Sequence, residues 1–346
     1  MTTYRDSGVD IDAGNTASKT AYGHAMTTFA SRKGMIGAPV TEEGGFAGML
    51  DMGDFYLVQN DDGTGSKMEI ACALQQFDTI GQDLLAMVVD DAICTGAEVI
   101  SVSNTLDVAS VDQKMIDELL AGLSKACSAQ KIVLPGGEIA EVPGAVTSPV
   151  WNATSVGIVA KDKVIDTSTI TEGDVVIALK SGVARSNGFS LIRKILRDEY
   201  GDTWHTSELA RTMLTPSVIY HGALLSVLGR YGEDRKINVK GIAHITGGGI
   251  VENFKRTLKK SGCGASLTDL FAPHDALKEL ITLGSVPIDE AYRTWNMGNG
   301  MLVIVDENDA DNIMHAMETQ GITAHVAGTI TTSPDVLITT YDGSQL

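Results

Sequence analysis

Short apolar runs alternate with longer segments whose apolar positions recur at helical spacing, and this alternation along 346 residues predicts a mixed α/β chain. In the first half, 55–60 predicts a strand, 67–75 opens a new segment, and 83–95 has helical spacing through Leu84, Met87, Val88 and Ala92. Strands are predicted over 99–103 and 131–134, with an amphipathic helix over 116–129 between them. A polar stretch, 166–174, precedes a fresh apolar run at 175–179 and sets the expected division into domains 1–168 and 169–346. The second half repeats the alternation, with helices over 190–197, 251–260 and 309–319 and strands over 241–245, 301–305, 325–329 and 335–340.

The length exceeds what one core usually organises, so two domains and a cleft between them are expected. Apolar residues at 43% and charged residues at 20% exclude extended disorder. The net charge of −18 repels nucleic acid and anionic membrane, so neither is an expected partner. A nucleotide substrate on such a surface needs locally placed cations or a bridging metal ion. The four cysteines Cys72, Cys94, Cys127 and Cys263 form no CxxC pair, which fits a reduced, cytoplasmic setting. Residues 1–15 carry Asp6, Asp10 and Asp12 and no apolar core, unlike a secretory leader. The apolar stretch 84–93 is interrupted by Asp90 and Asp91, unlike a membrane span.

Three groupings carry candidate chemistry. Asn60-Asp61-Asp62-Gly63-Thr64-Gly65-Ser66-Lys67 follows a strand and brings acids, glycines and a lysine into one short stretch. Its backbone can approach an anion while a carboxylate holds Mg²⁺, although the spacing is not that of a Walker loop, and an Asp-Gly turn alone is often only a turn. Asp83 and Asp90, seven apart, share a helix face among apolar residues, with Asp91 one step round. A metal ion would account for them, as would solvated acids at a helix end. The loops at Gly136-Gly137-Glu138, Ser186-Asn187-Gly188 and Thr246-Gly247-Gly248-Gly249 are caps and tight turns or, for the two that run into helices, receptors for phosphate at a helix start.

Together these stretches resemble the phosphoribosylformylglycinamidine cyclo-ligase (aminoimidazole ribonucleotide synthetase) family. The resemblance begins at Tyr4-Arg5-Asp6-Ser7-Gly8-Val9-Asp10-Ile11-Asp12-Ala13-Gly14-Asn15 and continues through Gly44-Gly45-Phe46, Asp62-Gly63-x-Gly65-x-Lys67 and Gly136-Gly137-Glu138. It extends to Ser186-Asn187-Gly188, Leu214-Thr215-Pro216, His244 through Gly249 and Tyr292-Arg293-Thr294-Trp295-Asn296-Met297-Gly298, covering nearly the whole chain.

The resemblance implies a two-domain cyclo-ligase-like α/β (α+β) fold, its N-terminal sheet pairing into a barrel across a homodimer beside a C-terminal α/β domain. It implies ATP-dependent closure of formylglycinamidine ribonucleotide to aminoimidazole ribonucleotide in purine synthesis, with the formyl oxygen activated by phosphorylation. On that reading Asp62 and Asp91 are the expected Mg²⁺ ligands, with Asp10, Asp12 and Asp90 as additional candidates. Asp62, Gly63, Gly65, Lys67, Asp83 and Asp91 would bind ATP, with Lys67 on its phosphates and His244 donating a proton nearby. Glu138, Ser186, Asn187, Gly188, Thr246, Gly247, Gly248, Gly249, Arg293 and Asn296 would line the substrate side. Arg185 stands where the family commonly has His, and Asp90 where it has Asn. Two other readings remain: an ATP-dependent paralogue acting on another small molecule, and a non-catalytic nucleotide-binding partner.

Overall fold

The computed structural model describes residues 2–40 and 45–346, so Gly44 of the Gly-Gly-Phe motif lies outside the described residues. The first half contributes strands Ala38–Val40 (β1), Gly48–Asp51 (β2), Phe55–Gly63 (β3), Glu98–Val108 (β4), Gly137–Glu141 (β5) and Val150–Ala160 (β6). They form one six-stranded sheet in the order β1-β2-β3-β6-β4-β5, antiparallel except for the β4–β5 pair. Its helices are Ile11–Phe29 (α1), Lys67–Leu74 (α2), Ile80–Ile93 (α3) and Gln113–Gln130 (α4).

The second half contributes strands Val175–Lys180 (β7), Val239–His244 (β8), Gly264–Leu267 (β9), Asn299–Val305 (β10), Ala324–Thr331 (β11) and Val336–Ile338 (β12). Their sheet has the order β12-β9-β11-β7-β10-β8, with β12 and β9 the parallel pair. Helices Phe189–Tyr200 (α5), Glu208–Met213 (α6), His221–Leu228 (α7), Gly249–Leu258 (α8), Asp275–Leu283 (α9), Ile288–Thr294 (α10) and Ala310–Thr319 (α11) surround it. The expected division at 168/169 falls within a short 3-10 turn, Thr167–Thr169, between the two sheets.

Side-chain alternation decides which residues of the first sheet face the interior. Along β6, Trp151, Ala153 and Ser155 are buried, and along β4, Val102, Asn104 and Leu106 are buried. On β3 the same parity turns Val58, Asn60 and Asp62 toward α3, which packs on β3, β6 and β4. Gln59 and Asp61 point to the opposite, helix-free face, where Asp61 accepts a hydrogen bond from Thr154.

α3 is buried almost all round, with Leu84, Leu85, Val88, Val89 and Ala92 fully enclosed. A helix apolar on every side belongs to an interior, and α3 is the inter-sheet layer: it packs on the first sheet and also meets α7 and β8 of the second half. The strand expected over 131–134 is corrected. α4 stops at Lys131, which adopts φ 61°, and Val133 makes one bridge to Ser101. Pro135 and Gly136 then intervene, and β5 takes the edge beside β4 instead. α1 was read only as a motif; Asp10 caps it by accepting from Ala13 N–H, and none of its side chains is buried. No described helix is long and apolar enough to cross a membrane.

Candidate active site

Because α3 lies in the interior, each of its acids requires a partner. Asp83 Oδ1 accepts from Lys67 Nζ at 2.8 Å, from Ser217 N–H at 2.9 Å and from the Ser217 hydroxyl at 2.5 Å. Asp90 Oδ1 accepts from the backbone N–H groups of Tyr220 and His221 at 2.9 and 3.0 Å, while its Oδ2 accepts from Arg185 Nη2 at 2.7 Å. These two carboxylates thus satisfy the irregular 215–221 segment and dock the second half onto α3. The metal-based account of Asp90 is corrected, since Arg185 and two peptide N–H groups satisfy both of its oxygens, whereas Asp83 keeps its Oδ2 buried without a partner. The role expected for Lys67 changes with them. Its fully enclosed ammonium donates to Asp83, to Thr215 O at 2.9 Å and to Arg185 O at 3.5 Å, leaving no N–H directed to a phosphate.

Asp91, one step round the helix, takes a different course. Its Oδ1 lies 2.7 Å from His244 Nδ1, at the end of β8. Burial pushes the Asp91 carboxyl up to about 7, against the opposing pull of the Arg256 and Arg185 guanidiniums. Burial, then the Asp91 charge, pushes Asp62 up to about 6, with Arg185 again pulling downward. The Asp91 charge thus adds to burial in disfavouring ionisation of Asp62. Burial above all, then the Arg185 charge, holds the His244 imidazole well below the usual histidine range. The contact at Nδ1 orients the Asp91 carboxyl, while Nε2 has no partner.

Three loops of the second half close on this pair. Gly188 and Gly249 begin α5 and α8, and both sit where a side chain has no room. A Cβ on Gly188 would lie 2.3 Å from Trp295 Nε1, and one on Gly249 would lie 1.8 Å from Tyr292 O. Both also have positive φ, 74° and 68°. The 292–296 segment therefore packs the two helix starts together. Asn253 secures the second loop by donating to Gly247 O at 3.1 Å and Gly249 O at 2.8 Å, with Thr246 O at 3.4 Å. Gly248 caps α8 at φ 91°. A Cβ on Gly247 would lie 3.5 Å from the Asn187 amide, and one on Gly65 would lie 3.5 Å from Ser186 O, so the 246–249 loop adjoins the 185–188 loop, which in turn adjoins the β3–α2 turn that carries Gly63 and Gly65. Ser186 Oγ, Asn187 Oδ1 and Thr64 Oγ1 are buried without partners.

The remaining expected residues are dispersed. Asp10 pairs with Arg5 at 2.7 Å, and Asp12 pairs with Arg293, which also lies 3.5 Å from Glu252. Each of these acids, at the start of α1, thus has an arginine partner. Glu138 is exposed on edge strand β5 opposite Thr105, on the helix-free face, whereas Asp62 points to the α3 side. It therefore does not join the carboxylate pair. Asn296 is buried, donates to Ser181, and leaves its Oδ1 unpartnered.

Sequence reasoning gave Ser217, Asn253 and Arg256 no role. Ser217 follows the Leu214-Thr215-Pro216 motif directly, so the signal was adjacent. Asn253 lies in the Glu252-Asn253 start of α8, where a buried Asn can serve loop carbonyls. Arg256 carries no local signal: only folding brings it over the Phe46 ring, 4.8 Å from its centroid, and toward Asp91.

Hard, oxygen-only donors whose joint charge is costly suit Mg²⁺. Among the described residues, no three His, Cys, Asp or Glu side chains converge as a cation site. Two carboxylates nonetheless match an ion that keeps its waters and shares ligands with substrate phosphates.

Residues 44–159 match the family model for the N-terminal domain of AIR synthase related proteins, and residues 171–339 match the model for the C-terminal domain. The crystal structure of the HypE–HypF complex superposes with a TM-score of 0.63 at 16% identity, covering 87% of this chain and 92% of that one. T. maritima PurL complexed with AMPPCP gives 0.56 at 14% identity, over 88% of this chain and 45% of that one. At these identities the likeness is one of fold. The fold and its domain models thus define the class of AIR synthase related proteins.

Relatives that align along their whole length narrow the class. Phosphoribosylformylglycinamidine cyclo-ligase of Clostridium kluyveri is 34% identical over 95% of this chain and 96% of its own. The corresponding proteins of Methanocaldococcus jannaschii and Pyrococcus furiosus are 35% and 34% identical over 97% and 99% of this chain, and 94% and 98% of their own. The chain belongs to the phosphoribosylformylglycinamidine cyclo-ligase family.

Proposed function

We propose that this protein uses ATP to close the imidazole ring of aminoimidazole ribonucleotide from formylglycinamidine ribonucleotide, releasing ADP and phosphate, and that Asp62 and Asp91 hold the Mg²⁺ that accompanies ATP. The observation that carries this reading is that Asp62 faces the α3 side of the sheet and feels the charge of Asp91, which His244 holds at the end of the strand leading into the 246–249 loop. The nucleotide-bearing neighbours of the same fold, HypE in complex with ATP and PurL with AMPPCP, support ATP as co-substrate.

Bound Mg²⁺ supplies positive charge for the phosphates and relieves the repulsion between the carboxylates. The chain's own groups do the rest. His244 orients Asp91 through Nδ1. Ser186 Oγ and Asn187 Oδ1, lacking internal partners, are available to the ribonucleotide, as are the backbone N–H groups at the starts of α5 and α8. The reaction then depends on positioning and charge neutralisation, as phosphoryl transfer generally does. Lys67 and Asp83 support the site by holding the two halves together.

The helix-free face of the first sheet supports a homodimer. Gln59, Asp61, Ser103, Thr105, Asn152 and Val150 are all exposed there. A second copy laid on that face would complete the barrel. A cytoplasmic setting fits the unpaired cysteines.

The test is ADP release that depends on formylglycinamidine ribonucleotide, together with detection of aminoimidazole ribonucleotide. Turnover confined to that substrate is expected. ADP release with a different small molecule and none with this one overturns the reading in favour of a paralogue, and binding of ATP with no turnover at all favours a non-catalytic partner.

A further inference from the structure

Arg185 is almost wholly enclosed, with 1% of its side chain exposed, and its partner Asp90 is fully enclosed. The pair joins the halves, since Asp90 belongs to α3 and Arg185 to the loop between β7 and α5. Arg185 Nη1 also donates to Val218 O at 2.9 Å, and the guanidinium lies 5.1 Å from the centroid of the Tyr220 ring. Its carbonyl faces Lys67 Nζ. Side chain and backbone are thus fixed by three separate stretches, and the next two residues are Ser186 and Asn187, whose Oγ and Oδ1 are among the unpartnered atoms of the site. A guanidinium fork restricts direction where an ammonium does not.

We infer that Arg185, locked by Asp90, is a positioning residue that sets the Ser186–Asn187 turn for the ribonucleotide and so governs recognition of that substrate more than recognition of ATP. The inference rests on the proposed function. Ser186 and Asn187 sit at the end of a lever whose fulcrum is the buried pair. Lys at 185 keeps the charge and loses the fork. Asn at 90 keeps the acceptor for Tyr220 and His221 N–H but loses the ionic partner.

The experiment compares steady-state constants and thermal midpoints of the wild type, Arg185→Lys, Asp90→Asn and the double variant, with formylglycinamidine ribonucleotide and ATP varied in turn. The expected result is a KM for the ribonucleotide raised at least tenfold in each single variant, with the KM for ATP within threefold and kcat within fivefold. In the double variant the rise is no larger than in either single one, because the two residues act as a unit. Lowered thermal midpoints with both KM values unchanged overturn the inference and leave the pair structural. Equal rises in both KM values overturn it too. If either single variant fails to fold, the other carries the comparison. Absence of wild-type turnover overturns the proposed function itself, an outcome distinct from turnover with unshifted constants.

Discussion

The Lys67 ammonium lies 2.8 Å from the Asp83 carboxylate, and neither side chain is exposed. Around this pair the Thr215 carbonyl accepts from Lys67 and the Ser217 N–H and hydroxyl donate to Asp83 Oδ1, so an ion pair of the first half is held by groups of the second. Removing one member of such a pair leaves a buried charge unmatched. Lys67→Met is therefore expected to lower stability by about 3–5 kcal/mol, measured by urea denaturation. A variant that loses ATP binding with unchanged stability would instead return Lys67 to the phosphates.

The carboxylate pair predicts an unusual pH dependence. Asp62 and Asp91 have native values pushed to about 6 and about 7, against about 3.9 for an unfolded Asp. The native state thus binds these protons more tightly than the unfolded one. Their contribution to stability is full below about pH 4 and is lost as pH rises through 6 to 7. The metal-free protein should show a thermal midpoint that falls between pH 5 and pH 8, and Asp91→Asn should flatten that decline. A midpoint that rises over this interval in the wild type contradicts the pairing.

Gly249 and Gly144 provide an internal comparison. Both have positive φ, 68° and 82°, but a Cβ on Gly249 would strike Tyr292 O while one on Gly144 would meet nothing. Gly144→Ala should cost about 1–2 kcal/mol from backbone strain alone. Gly249→Ala adds overpacking, for a total of about 3 kcal/mol or more. Equal costs in denaturant melts would show that the α8 start is not packed as described.

The helix-free sheet face predicts self-association. Val150→Glu, on the face proposed to pair, should convert a dimer into a monomer in sedimentation equilibrium. A dimer that survives the change, or a wild type that is monomeric, removes the barrel.

Local patterns made much of this fold legible. The apolar spacing of α3 and α4, the alternation in β3 and the isolated apolar runs of β7, β8 and β10 are all visible in sequence. β6 was not, because Asn152, Thr154 and Gly157 interleave small and polar residues with its buried positions, and the pattern weakens. The short helices α6, α7, α9 and α10 hold too few turns to show a period.

The site divides along the same line. Asp62, Asp91 and the two glycine loops carry motifs that drew attention to them. The partners that decide their chemistry are distant in sequence: Asp90 finds Arg185, and Asp83 finds Ser217, only through folding. Arg185 and Asp90, two of several positions that depart from the family pattern along with Asp61, Asn104, Ile139 and Val142, are in contact with each other. Lys67 illustrates the limit of a motif, since its place beside Gly65 suggested a phosphate ligand while its side chain runs inward to Asp83.

On the proposed function, Asp62 and Asp91 jointly hold the Mg²⁺ that accompanies ATP. Calorimetric titration of the protein with ATP, with and without Mg²⁺, tests it most directly when repeated on Asp62→Asn and Asp91→Asn. The account predicts Mg²⁺-dependent binding in the wild type, weakened at least tenfold in each variant, with folding intact. Unweakened, still Mg²⁺-dependent binding in both variants would contradict it.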